Sequence, residues 1–162
     1  MRAPTCLPRP RAGALRAALL ALALPLGLGL APAVASAAAD TPTGLWKTID
    51  DETKQPRAFV RIVDEAGVLT GRIERILPPG DAAARCEQCT DERRDQPVLG
   101  MAILSGLRRK GDVWEGGQIL DPSKGKTYQA RLKLADGGRQ LEVRGFVGTP
   151  LLGRTQLWLR EQ

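Results

Sequence analysis

After residue 40 the chain keeps restarting one pattern, an alternation of apolar and polar residues, and that pattern leaves few folds open. Tyr128, Ala130, Leu132 and Leu134 fall on one side of an extended chain, with Thr127, Gln129, Arg131 and Lys133 on the other. A strand with one buried face satisfies that period of two. Leu141, Val143 and Val147 repeat it opposite Gln140, Glu142 and Arg144. The runs end in turn chemistry: Asp64-Glu65-Ala66-Gly67, Asp121-Pro122-Ser123-Lys124-Gly125 and Ala135-Asp136-Gly137-Gly138 each combine a turn-starting Asp or Pro with a Gly free to take positive φ.

Eight runs fit this description: residues 45–49, 57–63, 68–77, 98–107, 112–120, 127–134, 139–147 and 154–160. The run at 98–107 also reads as a short helix plugging one end, because Val98, Met101, Ala102 and the Leu104 to Ser105 step share helical spacing. Short connections pair sequential strands antiparallel. An open meander of eight strands exposes two unpaired edges, and closure removes both. The expected fold is therefore all-β, a small eight-stranded antiparallel meander barrel, with an open β-sandwich as the alternative. The 123 residues from 40 to 162 suffice for one such domain.

The segment before residue 40 belongs to a different physical class. Arg2, Arg9, Arg11 and Arg16 precede an uncharged apolar run over 17–30, and small residues fill 33–39. A basic start, an apolar middle and a small-residue end describe a secretory signal peptide, expected here to be cleaved after Ala37 or Ala39. The run falls short of the ~20 residues that a permanent span needs, which leaves an uncleaved anchor as the alternative. No cysteine follows the apolar run to accept a lipid, and no arginine pair precedes it. Export of the unfolded chain to an oxidising compartment, the periplasm, is the expectation, with no integral span after processing.

Removing this leader also changes the charge. Four of the 24 basic residues and none of the 18 acidic ones precede residue 40, leaving 20 against 18, or +2. So small and interspersed an excess is no nucleic-acid footprint, and the one basic cluster, Arg108-Arg109-Lys110, reads as a solvated turn. The chain contains no histidine. Ser-His-Asp and Cys-His catalysis and histidine-ligated zinc are thereby excluded. Asp50, Asp51 and Glu52 are consecutive in a turn, where neighbouring side chains diverge, so no paired-carboxylate site is expected. The chain is read as a non-enzyme, without a metal or cofactor.

Residues 78–97 interrupt the meander with a connection that has no periodicity and carries both remaining cysteines, Cys86 and Cys89, as C-E-Q-C. Two cysteines without histidine supply half of a tetrahedral metal site, and no β/α alternation supports a thioredoxin-type motif. A structural disulfide that stiffens the long loop is expected, contributing about 2 kcal/mol.

Gly44-Leu45-Trp46 at the opening of the first strand resembles the lipocalin G-x-W signature. The resemblance implies a tryptophan at the closed end of a barrel beneath an arginine from the last strand, which offers Arg154 and Arg160. Gly44, Trp46 and Arg160 are the closure candidates, held by a cation-π contact. The runs G-L-W-K-T, G-R-I, C-E-Q-C, G-G-Q-I-L-D-P-S-K-G-K-T-Y, L-E-V-R-G and L-L-G-R-T-Q-L-W-L-R, in that order, resemble an exported bacterial family known as domain of unknown function 2147. That resemblance implies a lipocalin-like barrel in the envelope and supplies no catalytic residues. Asp121 to Tyr128 contains G-K-T without the upstream glycine of a phosphate loop, and a hairpin turn accounts for it.

Two function classes follow. In the first, the barrel binds a small lipophilic ligand, with Trp114 and Tyr128 as wall residues. In the second, the interior is filled and an outer face docks a partner or a second copy. Phe59 and Phe146, on otherwise polar faces near Arg57, Arg61 and Arg144, are the interface candidates.

Overall fold

The computed structural model describes residues 40–77 and 83–161. The leader reading falls on residues 1–39, outside the described residues. Eight strands follow one another: β1 (Gly44–Ile49), β2 (Pro56–Glu65), β3 (Val68–Ile76), β4 (Ala102–Lys110), β5 (Val113–Asp121), β6 (Lys126–Ala135), β7 (Gln140–Phe146) and β8 (Arg154–Glu161). Each pairs with its sequence neighbour, and β8 returns to β1, so the sheet is a closed antiparallel barrel rather than a sandwich. Register partners Trp46 and Arg160, and Thr48 and Trp158, mark the closing seam.

The alternation does what its period requires. Across β6 and β7, Leu132 faces Val143 and Leu134 faces Leu141, while Lys133 faces Glu142 on the other side of the sheet. Irregularities interrupt the pairing at Thr48/Ile49, Phe59/Val60, Leu69/Gly71 and Trp114/Gly117. Such bulges bend and twist the strands, as a small barrel must to close.

The run expected at 98–107 is a strand, but a displaced one that starts at Ala102 and continues to Lys110. Residues 98–101 form a turn instead: the Met101 amide donates to the Val98 carbonyl, and Gly100, at φ 83°, donates to Ile73. The Ile73 amide then donates to Met101, which hands the chain over to β3. A turn at a positive-φ glycine rules out the helical plug.

Antiparallel order sorts the connections to two ends. The start of β1, the turns β2–β3, β4–β5 and β6–β7, and the end of β8 lie at one end. The turns β1–β2, β5–β6 and β7–β8 and the long β3–β4 connection lie at the other. Between them Trp46, Trp158, Leu104, Leu107, Leu132 and Leu141 are essentially inaccessible to solvent.

Candidate functional site

The end where β1 begins is tied by one side chain. Arg160 donates from Nε to the Gly138 carbonyl at 2.6 Å, from Nη1 to Thr43 at 2.8 Å and from Nη2 to Thr41 at 2.7 Å. Its guanidinium carbon stands 4.2 Å from the centroid of the Trp46 ring. The Trp46 indole N–H donates to the Pro42 carbonyl at 2.7 Å, so both members of the pair are satisfied by backbone. Gly44 leaves room for this knot: its φ is +127°, and a Cβ there would stand 2.9 Å from Nη1 of Arg160. Partial burial pulls the Arg160 pKa below its ordinary value, yet the guanidinium stays charged. Arg154, the other arginine that the last strand offers, lies at the opposite end of β8.

Trp114 and Tyr128, the wall candidates, are not brought together. Trp114 pairs with Leu132 and Tyr128 with Ile119. Four residues of strand, about 13 Å, separate Leu132 from Tyr128. Trp114 is buried in the core, with the Arg109 guanidinium 5.4 Å from its ring. Tyr128 is half-buried and keeps to the inner face with Ala130 and Leu132, against Ile119 and Gly145. On the outside a groove of about 320 Å³ is bordered by Gln118, Gln129, Phe146 and Val147. A second outer groove, about 400 Å³, runs over Val63, Ile73 and Leu99 beside the Arg61–Glu74 pair.

The opposite end is held by several separate devices. Cys86 and Cys89 form a disulfide with Cα atoms 5.3 Å apart, and both residues are buried in the hydrophobic core cluster. The Sγ of Cys86 rests 3.3 Å from the Pro122 carbonyl in the β5–β6 turn. In the same turn a Cβ on Gly125 would fall 1.9 Å from the Gln88 carbonyl oxygen, so the cystine loop and the turn are in backbone contact. Arg93 binds Asp91 and also donates to Thr127 Oγ1 at 3.2 Å, fixing the loop's far side. The guanidinium of Arg93 holds the Asp91 carboxyl down at about 2.

Arg154 of β8 forms a two-pronged pair with Asp51 and reaches Glu52 at 3.1 Å, which ties the β1–β2 turn to the last strand. That pairing keeps the Asp51 pKa below its ordinary value. Asp50, by contrast, turns back to accept from the Thr53 amide at 2.7 Å. Asp50 thus points away from the other two, whereas Asp51 and Glu52 converge on the Arg154 guanidinium, which corrects the reading that all three diverge.

A family comparison bears directly on this barrel: residues 44–160 match the model of a family described as an uncharacterised protein conserved in bacteria, DUF2147. The chain belongs to this family. It matches no curated protein. A solved structure, titled as protein HP1028 from the human pathogen Helicobacter pylori and belonging to the lipocalin family, is similar with a TM-score of 0.65. Identity is 21%, over 74% of this chain and 82% of that one, so the likeness is one of fold. This DUF2147 member is a lipocalin-like barrel.

The interface candidates come apart on inspection. Phe59 does lie on the outer face, yet it is only 6% exposed. Its register partners Lys47 and Arg75 fold over the ring, at 5.9 and 4.1 Å from its centroid, and this corrects the reading of an exposed aromatic. The arginine belongs to its cover. Phe146 is half-buried and lines the smaller groove.

The sequence reading passed over Leu151 and Leu152 and set Val147 on the apolar face of the 139–147 run, which is corrected here because β7 ends at Phe146 and leaves Val147 in the turn. In the β7–β8 connection Val147, Leu151 and Leu152 are 69%, 89% and 84% exposed. A signal was there to find: residues 145–153 hold no charge and are bounded by Arg144 and Arg154. Among the described residues no helix is long and apolar enough to cross a membrane.

Proposed function

We propose that this protein is exported to the periplasm by its N-terminal segment, cleaved there, and acts without catalysis as an interaction module of the cell envelope, through its outer surface. The observation that carries this reading is the occupied lumen. Trp46 at 0%, Trp158 at 1% and the leucines between them leave the space where a barrel of eight strands holds one small ligand filled by side chains. Interiors close-packed in this way resist displacement, since moving a buried indole aside forfeits its packing.

The test is extraction of the purified exported protein with organic solvent, followed by lipid mass spectrometry. No lipophile at one mole per mole of protein is expected. A stoichiometric lipid that survives washing and quenches tryptophan fluorescence would show that the lumen opens, and would overturn this reading.

One observation favours a second reading, in which a small lipophilic molecule lies against the outside. The groove bordered by Gln118, Gln129 and Val147 has Phe146 at its wall. In that case Phe146→Ala removes binding without altering the fold, whereas under the first reading it has no ligand to release.

A further inference from the structure

We propose that the β7–β8 turn, residues 146–153, is a membrane-docking tip that enters the interfacial layer of a lipid bilayer and seats the barrel with its cystine-bearing end toward the lipid. This rests on the exported, surface-acting reading given above and names the partner.

The side chains make the first part of the case. Val147, Leu151 and Leu152 are the most exposed large apolar residues of the described chain, and they share one turn. No charged residue stands between Arg144 and Arg154. A turn of this composition gains little in water and much against acyl chains.

The backbone makes the second. The Thr149 amide donates to Val147 at 3.0 Å, Leu152 to Thr149 at 3.2 Å and Gly153 to Pro150 at 3.2 Å. Pro150 has no amide hydrogen to satisfy. Arg144 reaches in from β7 and donates to the Pro150 carbonyl at 2.6 Å and to Leu151 at 3.4 Å. Three of the six amides from Val147 to Gly153 thus donate within the turn and Arg144 occupies two of its carbonyls, so about half of its backbone capacity is met internally, as the wet interfacial layer of a bilayer requires. An unpaired backbone group is what chiefly bars a loop from an apolar phase. The tip presents no charged side chain for a protein partner to pair with, and hydrocarbon asks for none.

The charges at its base set the depth. Arg144 and Arg154 bound the apolar stretch in sequence, and arginine is a residue type that settles at the headgroup level at the foot of an inserted segment. Asp51 and Glu52 offset Arg154, so the base is close to neutral. Docking driven by apolar insertion rather than by net charge depends little on anionic lipid or on salt.

The experiment is vesicle flotation, using protein purified after export with its processed N-terminus verified by mass. Vesicles of phosphatidylethanolamine with phosphatidylglycerol, and of phosphatidylcholine alone, carry the wild type upward in low and high salt. The double variant Leu151→Ser/Leu152→Ser loses at least about tenfold in partition, as removal of two inserted leucines implies. Leu157→Ser, on the wall at 40% exposure, floats like the wild type. In a second measurement, Leu152→Trp is quenched by brominated lipid.

Wild type remaining in the dense fraction, equal flotation of the double variant, or an unquenched Leu152→Trp overturns the inference. A dimer in sedimentation that the double variant breaks, without flotation, also overturns it. That last result would leave the surface-acting barrel standing, whereas a lumenal lipid found by extraction would remove the filled-lumen, surface-acting reading whatever the vesicles do.

Discussion

The two ends of this barrel solve the same problem with different chemistry. At the end where β1 starts, one arginine gathers three carbonyls from two parts of the chain and covers a tryptophan. At the other, a cystine, a glycine-tight turn contact and carboxylate–arginine pairs hold separate loops, and an apolar tip is left in solvent. The first end concentrates its stabilisation in a single partly buried group whose acceptors do not titrate. The second spreads it over local devices, so loss of any one of them is expected to leave the barrel closed.

The sharpest way to break this contrast is Arg160→Ala. Removing a charged donor from three carbonyls, together with its contact on Trp46, is expected to cost about 3 kcal/mol in urea unfolding. Arg160→Lys recovers only part of that, because an ammonium cannot reproduce the planar fork. A loss under about 1 kcal/mol would mean that the closing strands carry this end without the knot.

Next in size is a matched pair of glycines. Gly125 and Gly148 both have positive φ, but a side chain at Gly125 meets the Gln88 carbonyl, whereas one at Gly148 meets nothing within 4 Å. Gly148→Ala is expected to cost about 1 kcal/mol from backbone strain alone. Gly125→Ala costs that and the docking of the cystine loop as well. Equal losses in thermal unfolding would show that the loop does not rest on the turn.

Replacing both Cys86 and Cys89 by serine is expected to cost about 2 kcal/mol, with faster hydrogen exchange across the loop and little change in the strands. Uniform loss of protection would make the cystine a global staple.

The smallest effects come from acid. The partners of Asp51 and Asp91 depress both pKa values, so their contribution is present above the ordinary 3.8 and fades as pH falls through the folded values, about 2 for Asp91. Being exposed, these pairs contribute little. Between pH 4 and 2, residues 50–55 and 83–97 therefore lose exchange protection before residues 41–46. With no histidine in the chain, the melting temperature is expected to stay nearly flat from pH 5 to 8.

How much of this was legible depends on the range of the force involved. The strands were, because alternation and turn residues act locally; Asp121 to Gly125 reads as a hairpin and forms one. The 98–107 run slipped by a few residues because its start depends on pairing with Ile73 in β3, which no local pattern records. Trp114 and Tyr128 both read as wall residues, and only register showed them at different heights. Phe59 read as exposed because the polar residues around it look the same whether they point to water or lie across a ring.

The sequence by itself determined that a meander of short strands would form beyond residue 40, since side-chain period and turn chemistry are properties of neighbours along the chain. Tertiary structure alone decided which residues were hidden. The three carbonyls at Arg160, the seat of the cystine loop on Gly125 and the cover over Phe59 each join segments far apart in sequence, and distance in space is set by closure of the whole sheet.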